Sequence, residues 1–298
     1  MNSYSHVLPE YRGAFALSDQ ERLESIRRHW IDHEFADKLF KRMAGKLLNE
    51  LESPDLMICG ESDMGKTTLM KRFMSLYGNS YIEDESVRVK PVLMIEISKP
   101  SVRDFYCEIL RTSIAPYDPK APEAKLRKQA VDILVGCKTK MLIIDEIQVL
   151  FKGTARVTGN VMDEIKWLGN SLDISIILVG MPTATSLLNM DRQYANRFVM
   201  VEIPAWGKNA AFRQFLKAFE SWLPLKKPSD LASPAMAGQI LARTGGNTGH
   251  VENLLLACAR RAIETGKEKI DVELLESEKW VPGTNGIRKL SLLGSAGL

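Results

Sequence analysis

One stretch and one distant pair of acids have the residue types and spacing to do chemistry together. Gly60 and Gly65 bracket Glu61, Ser62, Asp63 and Met64, and Lys66, Thr67 and Thr68 follow at once. Glycine, four residues and then Gly-Lys-Thr is the spacing of a loop that closes around phosphates. Glycines let the backbone curl so that successive N–H groups converge on phosphate oxygens. Lys66 brings a point charge to the β/γ-phosphates of a nucleotide, and the Thr67 hydroxyl can complete a Mg²⁺ shell. Asp145 and Glu146 end the apolar run KMLIIDE. A carboxylate at such a strand end can hold Mg²⁺ directly or through water. The next residue points differently and can act as a general base on the attacking water. Together the two signatures imply a nucleoside triphosphate and Mg²⁺ as cofactors.

These groups need a scaffold. The run LMICG before the loop reads as a buried strand, and Lys66 to Tyr77 as the helix whose positive dipole end faces the phosphates. Further strand-like runs are VLMIEIS (92–98), KMLIIDE (140–146), SIILVG (175–180) and FVMVEIP (198–204). Helical segments are expected over 102–112, 125–135 and 161–172, with a polar connector over 78–90 and a proline-bearing loop over 113–124. Apolar strands alternating with helices argue for an α/β fold with a five-stranded parallel sheet and right-handed crossovers. Thr183, just beyond the fourth strand, can either sense a γ-phosphate or cap the helix of PTATSLL.

On either side the pattern is helical. Ser18 and Glu21 form a capping box, and Leu23, Ile26, Trp30, Ile31, Phe35, Leu39, Phe40, Met43 and Leu47 recur at helical spacing. Their basic neighbours, among them Arg22, Arg27, Arg28, Lys38, Lys41 and Arg42, read as a solvated face or a partner surface. Residues 1–18 read as an extended arm. Beyond Pro204 the strand-like runs stop, and 208–280 suits a small helical domain with connectors at Lys226-Lys227-Pro228 and Gly245-Gly246-Asn247. The expected domains are 1–50, 51–206, 207–281 and a loose tail over 282–298.

The chain's 298 residues are 45% hydrophobic and 26% charged, an ordinary globular balance. No apolar run approaches the ~20 residues of a membrane span, and the start lacks a basic stretch followed by an apolar core. A cytoplasmic protein with no membrane partner is expected. Cys59, Cys107, Cys137 and Cys258 are scattered, as buried thiols in a reducing compartment would be. The net charge of +3 neither requires nor excludes nucleic acid.

With these residues placed, the chain resembles an AAA+ ATPase, and more narrowly the TniB family of transposition regulators related to TnsC proteins. The matching segments are ERLESIRRHWIDHEFADKLFKRM, GESDMGKTTL, IIDEIQVLF, IKWLGNSLDISIILVGMPTA and NRFVMVEIPAW, in that order. The resemblance implies an AAA+ P-loop core with an N-terminal helical extension and a C-terminal helical lid. It assigns ATP and Mg²⁺ to Gly60–Thr68, the metal to Thr67 and Asp145, water activation to Glu146 and γ-phosphate sensing to Thr183. Arg197 stands where such ATPases place an arginine finger for a neighbouring subunit, with Arg192 as competitor. Two departures are visible. Gln148 replaces a histidine common in relatives, and the turn GGNTGHV offers His250 where many AAA+ lids carry an arginine.

The implied function is an ATPase that oligomerises on double-stranded DNA as a ring or helical filament, marks a target and recruits a transposase and a TniQ-type adaptor. Hydrolysis would disassemble it in the cytoplasm, at the nucleoid. DNA contacts are expected at Lys99 and Arg103, and more weakly at Lys125, Arg127 and Lys128. The alternatives are a helicase loader or replication initiator, and a scaffold that binds ATP without turnover.

Overall fold

The computed structural model describes residues 4–48, 55–83 and 87–278. Its helices in chain order are α1 (Asp19–Ser25), α2 (Glu34–Leu47), α3 (Lys66–Tyr77), α4 (Val102–Thr112), α5 (Glu123–Gly136), α6 (Ala155–Ser171), α7 (Arg192–Arg197), α8 (Ala210–Glu220), α9 (Pro234–Thr244), α10 (Thr248–Glu264) and α11 (Val272–Ser277). The strands are β1 (Asp55–Cys59), β2 (Tyr81–Glu83), β3 (Val87–Val89), β4 (Val92–Glu96), β5 (Met141–Asp145), β6 (Ser175–Gly180) and β7 (Phe198–Glu202). Among the described residues, 35–204 form one compact unit, and 4–34 with 205–278 form the other.

The first unit is built on a five-stranded sheet in the order β4-β5-β6-β1-β7. Every pairing in it is parallel. Parallel strands covered on both faces must be apolar nearly throughout, and β1 and β5 are buried at all their positions. The register aligns the strands' carboxyl ends: Cys59 lies beside Gly180, and Glu96 beside Asp145. In open α/β sheets that edge is where ligands bind. Phe105, Tyr106, Ile109 and Leu110 of α4 and Val161, Ile165 and Leu168 of α6 pack into the core around the strands, each fully buried. Burial of a side chain of this size stabilises by about 1.5–3 kcal/mol.

The second unit is helical. Asn209, Ser233, Asn247 and Asp271 cap α8, α9, α10 and α11, each accepting the N–H three residues on. Such caps satisfy donors that the first helical turn leaves without partners. Phe212, Phe215, Phe219, Leu254, Leu255 and Cys258 form its core, joined by Ile26 and Ile31 from the N-terminal segment.

Several expectations change here. The helical periodicity from Ser18 breaks into α1 and α2, because Ile26 is extended and the chain leaves one unit for the other after residue 34. The capping box is formed, with Ser18 and Glu21 bonding each other's backbone. Arg22 is neither solvated nor a partner contact. It is fully buried, and its guanidinium donates to Glu268 at 2.8 and 2.6 Å and to the Pro224 carbonyl at 2.6 Å. The described part of the N-terminal arm is not extended: Pro9–Ala16 forms a 3-10 helix, and the Leu8 N–H donates to Ser221 O at 2.8 Å. Residues 78–90 hold the hairpin β2–β3, whose two short antiparallel strands the polar composition hid. Helix α6 starts at Ala155 rather than near 161, since Thr154 caps it. The expected tail, 282–298, lies outside the described residues.

Candidate nucleotide site

Strand β1 ends at Cys59, and its carbonyl accepts Ile203 N–H at 2.8 Å while Gly60 N–H donates to Gly180 O at 3.2 Å. These bonds anchor the loop's start between β6 and β7. Gly65, the N-cap of α3, has φ +82°, a left-handed conformation that an L side chain strains to adopt. Helix α3 begins at Lys66, so its first N–H groups face the loop's concavity.

Lys66 folds back over the loop. Its buried ammonium donates to the Gly60 and Glu61 carbonyls, both at 2.8 Å. Burial lowers its pKa below the usual lysine range, against the opposing pull of Glu146, Asp145, Glu61 and Asp63. Its direct partners are neutral carbonyls, so the ammonium's charge is not consumed by an ion pair and suits a phosphate oxygen. Thr67 Oγ1 donates to Asp145 Oδ2 at 2.7 Å, bringing together a hydroxyl and a buried carboxylate. Two hard oxygens placed together are donors of the kind that would hold a Mg²⁺. The residues therefore fit both groups: Lys66, Thr67 and the loop N–H groups for the phosphates, Thr67 and Asp145 for the ion. Thr68 is exposed, and Glu61, Ser62 and Asp63 line the loop's outer side as exposed residues while Met64 is buried beneath it.

Glu146 follows Asp145 in a left-handed conformation (φ 58°, ψ 33°), an arrangement that costs a non-glycine residue about 1 kcal/mol or more. Its N–H donates to Asp145 Oδ1 at 2.8 Å. The turn sends the two carboxylates in different directions, one toward Thr67 and one toward Gln148, whose Nε2 donates to Glu146 Oε2 at 2.6 Å. Thr183 lies exposed on the 3-10 helix Pro182–Leu187 after β6. The cap of that helix is Met181, so Thr183 is not the N-cap.

Each arginine candidate has a different fate. Arg197 Nε donates to Asp55 Oδ2 at 2.7 Å and its guanidinium also bonds Asn170. Asp55 opens β1 beside Phe198, so this ion pair sits at the sheet edge opposite the phosphate loop. The expectation of Arg197 as a free finger is corrected: its guanidinium is spent inside its own unit. Arg192, at the start of α7, is exposed, and its side chain makes no ion pair or hydrogen bond among the described residues. Of the DNA candidates, Lys99 is 71% exposed with Asp104 at 3.9 Å. Arg103 is half-buried and staples the following loop through the Pro119 and Ala121 carbonyls, both at 2.8 Å. Arg127 stacks on Trp167 at 3.7 Å and pairs with Glu164 at 2.9 Å, a structural role. Lys125 and Lys128 are exposed. His250 is buried in the helical unit, with Nδ1 3.4 Å from Thr244 O. Cys59 is inert, its thiol pushed up to about 11 by burial and by Glu202.

The family model for the bacterial TniB protein matches residues 22–208, a span that contains the whole site. The chain belongs to the TniB family. No protein with a curated description matches this TniB-family chain. Among solved structures it is similar to the Aeropyrum pernix ORC2 protein in its ADP form (TM-score 0.60, 16% identity, 87% of this chain and 71% of that one). It is similar also to the Aeropyrum pernix ORC1 protein in complex with DNA (0.60, 15%, 88% and 69%) and to Cdc6p from Pyrobaculum aerophilum (0.58, 16%, 85% and 68%). At such identities the likeness is one of fold alone. No helix among the described residues is long and apolar enough to cross a membrane.

Proposed function

We propose that this TniB-family ATPase is a regulator of DNA transposition whose ATP-bound subunits assemble on double-stranded DNA, mark the target and recruit a transposase through a TniQ-type adaptor. The observation that carries the reading is the family match over a site that keeps Lys66, Thr67, Asp145 and Glu146 together. Thr67 and Asp145 would hold a Mg²⁺, which would supply neutralisation of phosphate charge. Lys66 holds the phosphates, Glu146 accepts a proton from the attacking water, and Thr183 reports on the γ-phosphate from the turn after β6. The helical unit acts as a lid. Arg192 replaces Arg197 as the guanidinium offered to a neighbour, because it alone of the two is uncommitted. A finger supplied in trans makes hydrolysis wait for assembly and makes disassembly follow it. DNA is held by its phosphates, with Lys99 as the leading contact and little sequence preference.

Wild type and Glu146→Gln, compared for ATP turnover and for filaments on duplex DNA by negative-stain imaging, test this reading. Turnover is expected to vanish in the variant while filaments persist, and Lys66→Ala is expected to abolish ATP-dependent assembly. Surviving turnover in Glu146→Gln refutes the base, and undiminished assembly in Lys66→Ala refutes the nucleotide gate. A second reading, a helicase loader or initiator, draws support from the fold likeness to ORC1 and Cdc6p. Stable association with a replicative helicase instead of a transposase would decide for it.

A further inference from the structure

Gln148 makes two bonds that the reaction as described above does not use. It lies in the first turn of the 3-10 helix Ile147–Lys152. Its Nε2 donates to Glu146 Oε2 at 2.6 Å, and its Oε1 accepts the Met181 N–H at 3.1 Å. One neutral amide thus spans the base and the backbone two residues ahead of Thr183. The sequence leaves room for the bridge: a Cβ at Gly180 would stand 2.7 Å from Gln148 Oε1 and 2.8 Å from Ile147 Cγ2, closer than real Cβ contacts come. Gly180 also accepts the Gly60 N–H, so the phosphate loop, the turn after β6 and the base meet within a few bonds.

We infer that Gln148 is a positioning residue that couples the turn after β6 to Glu146, so that the carboxylate's orientation depends on what that turn senses. The donor to Glu146 is the strong, charge-assisted half of the bridge, and the acceptor from Met181 is the half that moves with the turn. A shift of Met181, two residues from Thr183, pulls on Oε1 and rotates the same amide plane that holds Oε2 of the base. The two halves cannot move independently, since they are the ends of one planar group. Among the described residues the hydrogen bond that the Glu146 carboxylate accepts comes from Gln148 Nε2, so this tether sets its direction.

The inference rests on the assignment of Glu146 as base, and the test separates the two. Gln148→Met keeps the length and most of the volume but removes donor and acceptor. Full-length Gln148→Met is compared with wild type and Glu146→Gln by steady-state ATPase on duplex DNA, by titration with a fluorescent ATP analogue and by amide hydrogen exchange over Gly180–Leu187. The expected result is a kcat lower by about ten- to a hundredfold, the scale of one hydrogen bond to a charged group, with analogue affinity within about twofold of wild type. Amide exchange at Met181 is expected to rise in the nucleotide-free variant. If Gln148→Met aggregates, Gln148→Asn, one methylene too short to reach both ends, gives the same readouts. Wild-type kcat, or a loss of affinity that matches the loss of kcat, overturns the coupling. Full turnover in Glu146→Gln overturns the base assignment instead.

Discussion

Thr67 and Asp145, 78 positions apart in the chain, meet through a 2.7 Å hydrogen bond from Oγ1 to Oδ2. Thr67 lies in the first turn of α3, which follows β1, while Asp145 ends β5, and β6 separates β1 from β5 in the sheet. Asp145 is 1% exposed and its other oxygen already accepts the Glu146 N–H. The carboxylate is therefore held through both of its oxygens.

If Thr67 and Asp145 hold Mg²⁺ as proposed, nucleotide binding should depend on the ion. Thr67→Ala and Asp145→Asn should each weaken Mg²⁺-supported binding of an ATP analogue by about tenfold or more, consistent with loss of a hard oxygen ligand. Binding in excess chelator should differ little between variants and wild type. Thr67→Ser, which keeps the hydroxyl, should behave as wild type. An equal loss with and without Mg²⁺ would place Thr67 outside the metal shell.

The two arginines should separate cleanly. Arg192→Ala should leave the melting temperature unchanged and lower the turnover of the assembled protein by about 10³-fold, the scale of an arginine finger. Arg197→Ala leaves Asp55 buried with Lys46, at 3.4 Å, as its remaining cation, and should destabilise the sheet unit by about 3 kcal/mol. Calorimetry beside DNA-stimulated ATPase assays reads both effects. A stable, inactive Arg197→Ala would restore Arg197 as the finger.

Acid should loosen the helical unit through Arg22 and Glu268. Burial works to raise the Glu268 pKa, but hydrogen bonds from Arg22 and the Lys226 N–H outweigh it and hold the carboxyl below its ordinary value of 4.5. A depressed carboxylate contributes stability that is complete above its unfolded pKa and is lost as pH falls through the folded one. Thermal unfolding followed between pH 6 and 3 should show a steeper decline in wild type than in Glu268→Gln. At neutral pH, Glu268→Ala leaves the buried guanidinium with Asp19 as its one carboxylate among the described residues and should cost about 3 kcal/mol.

On DNA, Lys99 and Arg103 should part company. Lys99→Ala should weaken binding evenly across sequences and reduce the salt slope by about one ion. Arg103→Ala should leave the slope unchanged and instead loosen the loop at Pro119–Ala121, detectable as faster amide exchange there. A reduced slope for Arg103→Ala would return it to the interface.

Much of this was legible in the chain because the decisive signals are local. The loop from Gly60 to Thr68 needs only glycine freedom, one lysine and one hydroxyl at fixed spacing. Buried parallel strands announce themselves as apolar runs such as MLIID, and the α/β class follows from their alternation with helices. Hairpin β2–β3 escaped because its strands are three residues each, too short for an apolar run or an alternation to mark them. The functions of long basic side chains escaped for a different reason. Arg22, Arg103, Arg127 and Arg197 look alike in sequence, each a flexible cation beside apolar positions. Only the fold brings Glu268, the 119–121 carbonyls, Trp167 and Asp55 within reach of them, at separations of up to 246 residues. The bridge from Gln148 to Met181 belongs to the same class, since a strand end and a helix start become neighbours through sheet register alone. Sequence by itself determined which chemistry is possible, because backbone conformation and ligand type are set residue by residue. Tertiary structure decided which charges are free to perform it, because a cation's availability depends on partners that the chain supplies from far away.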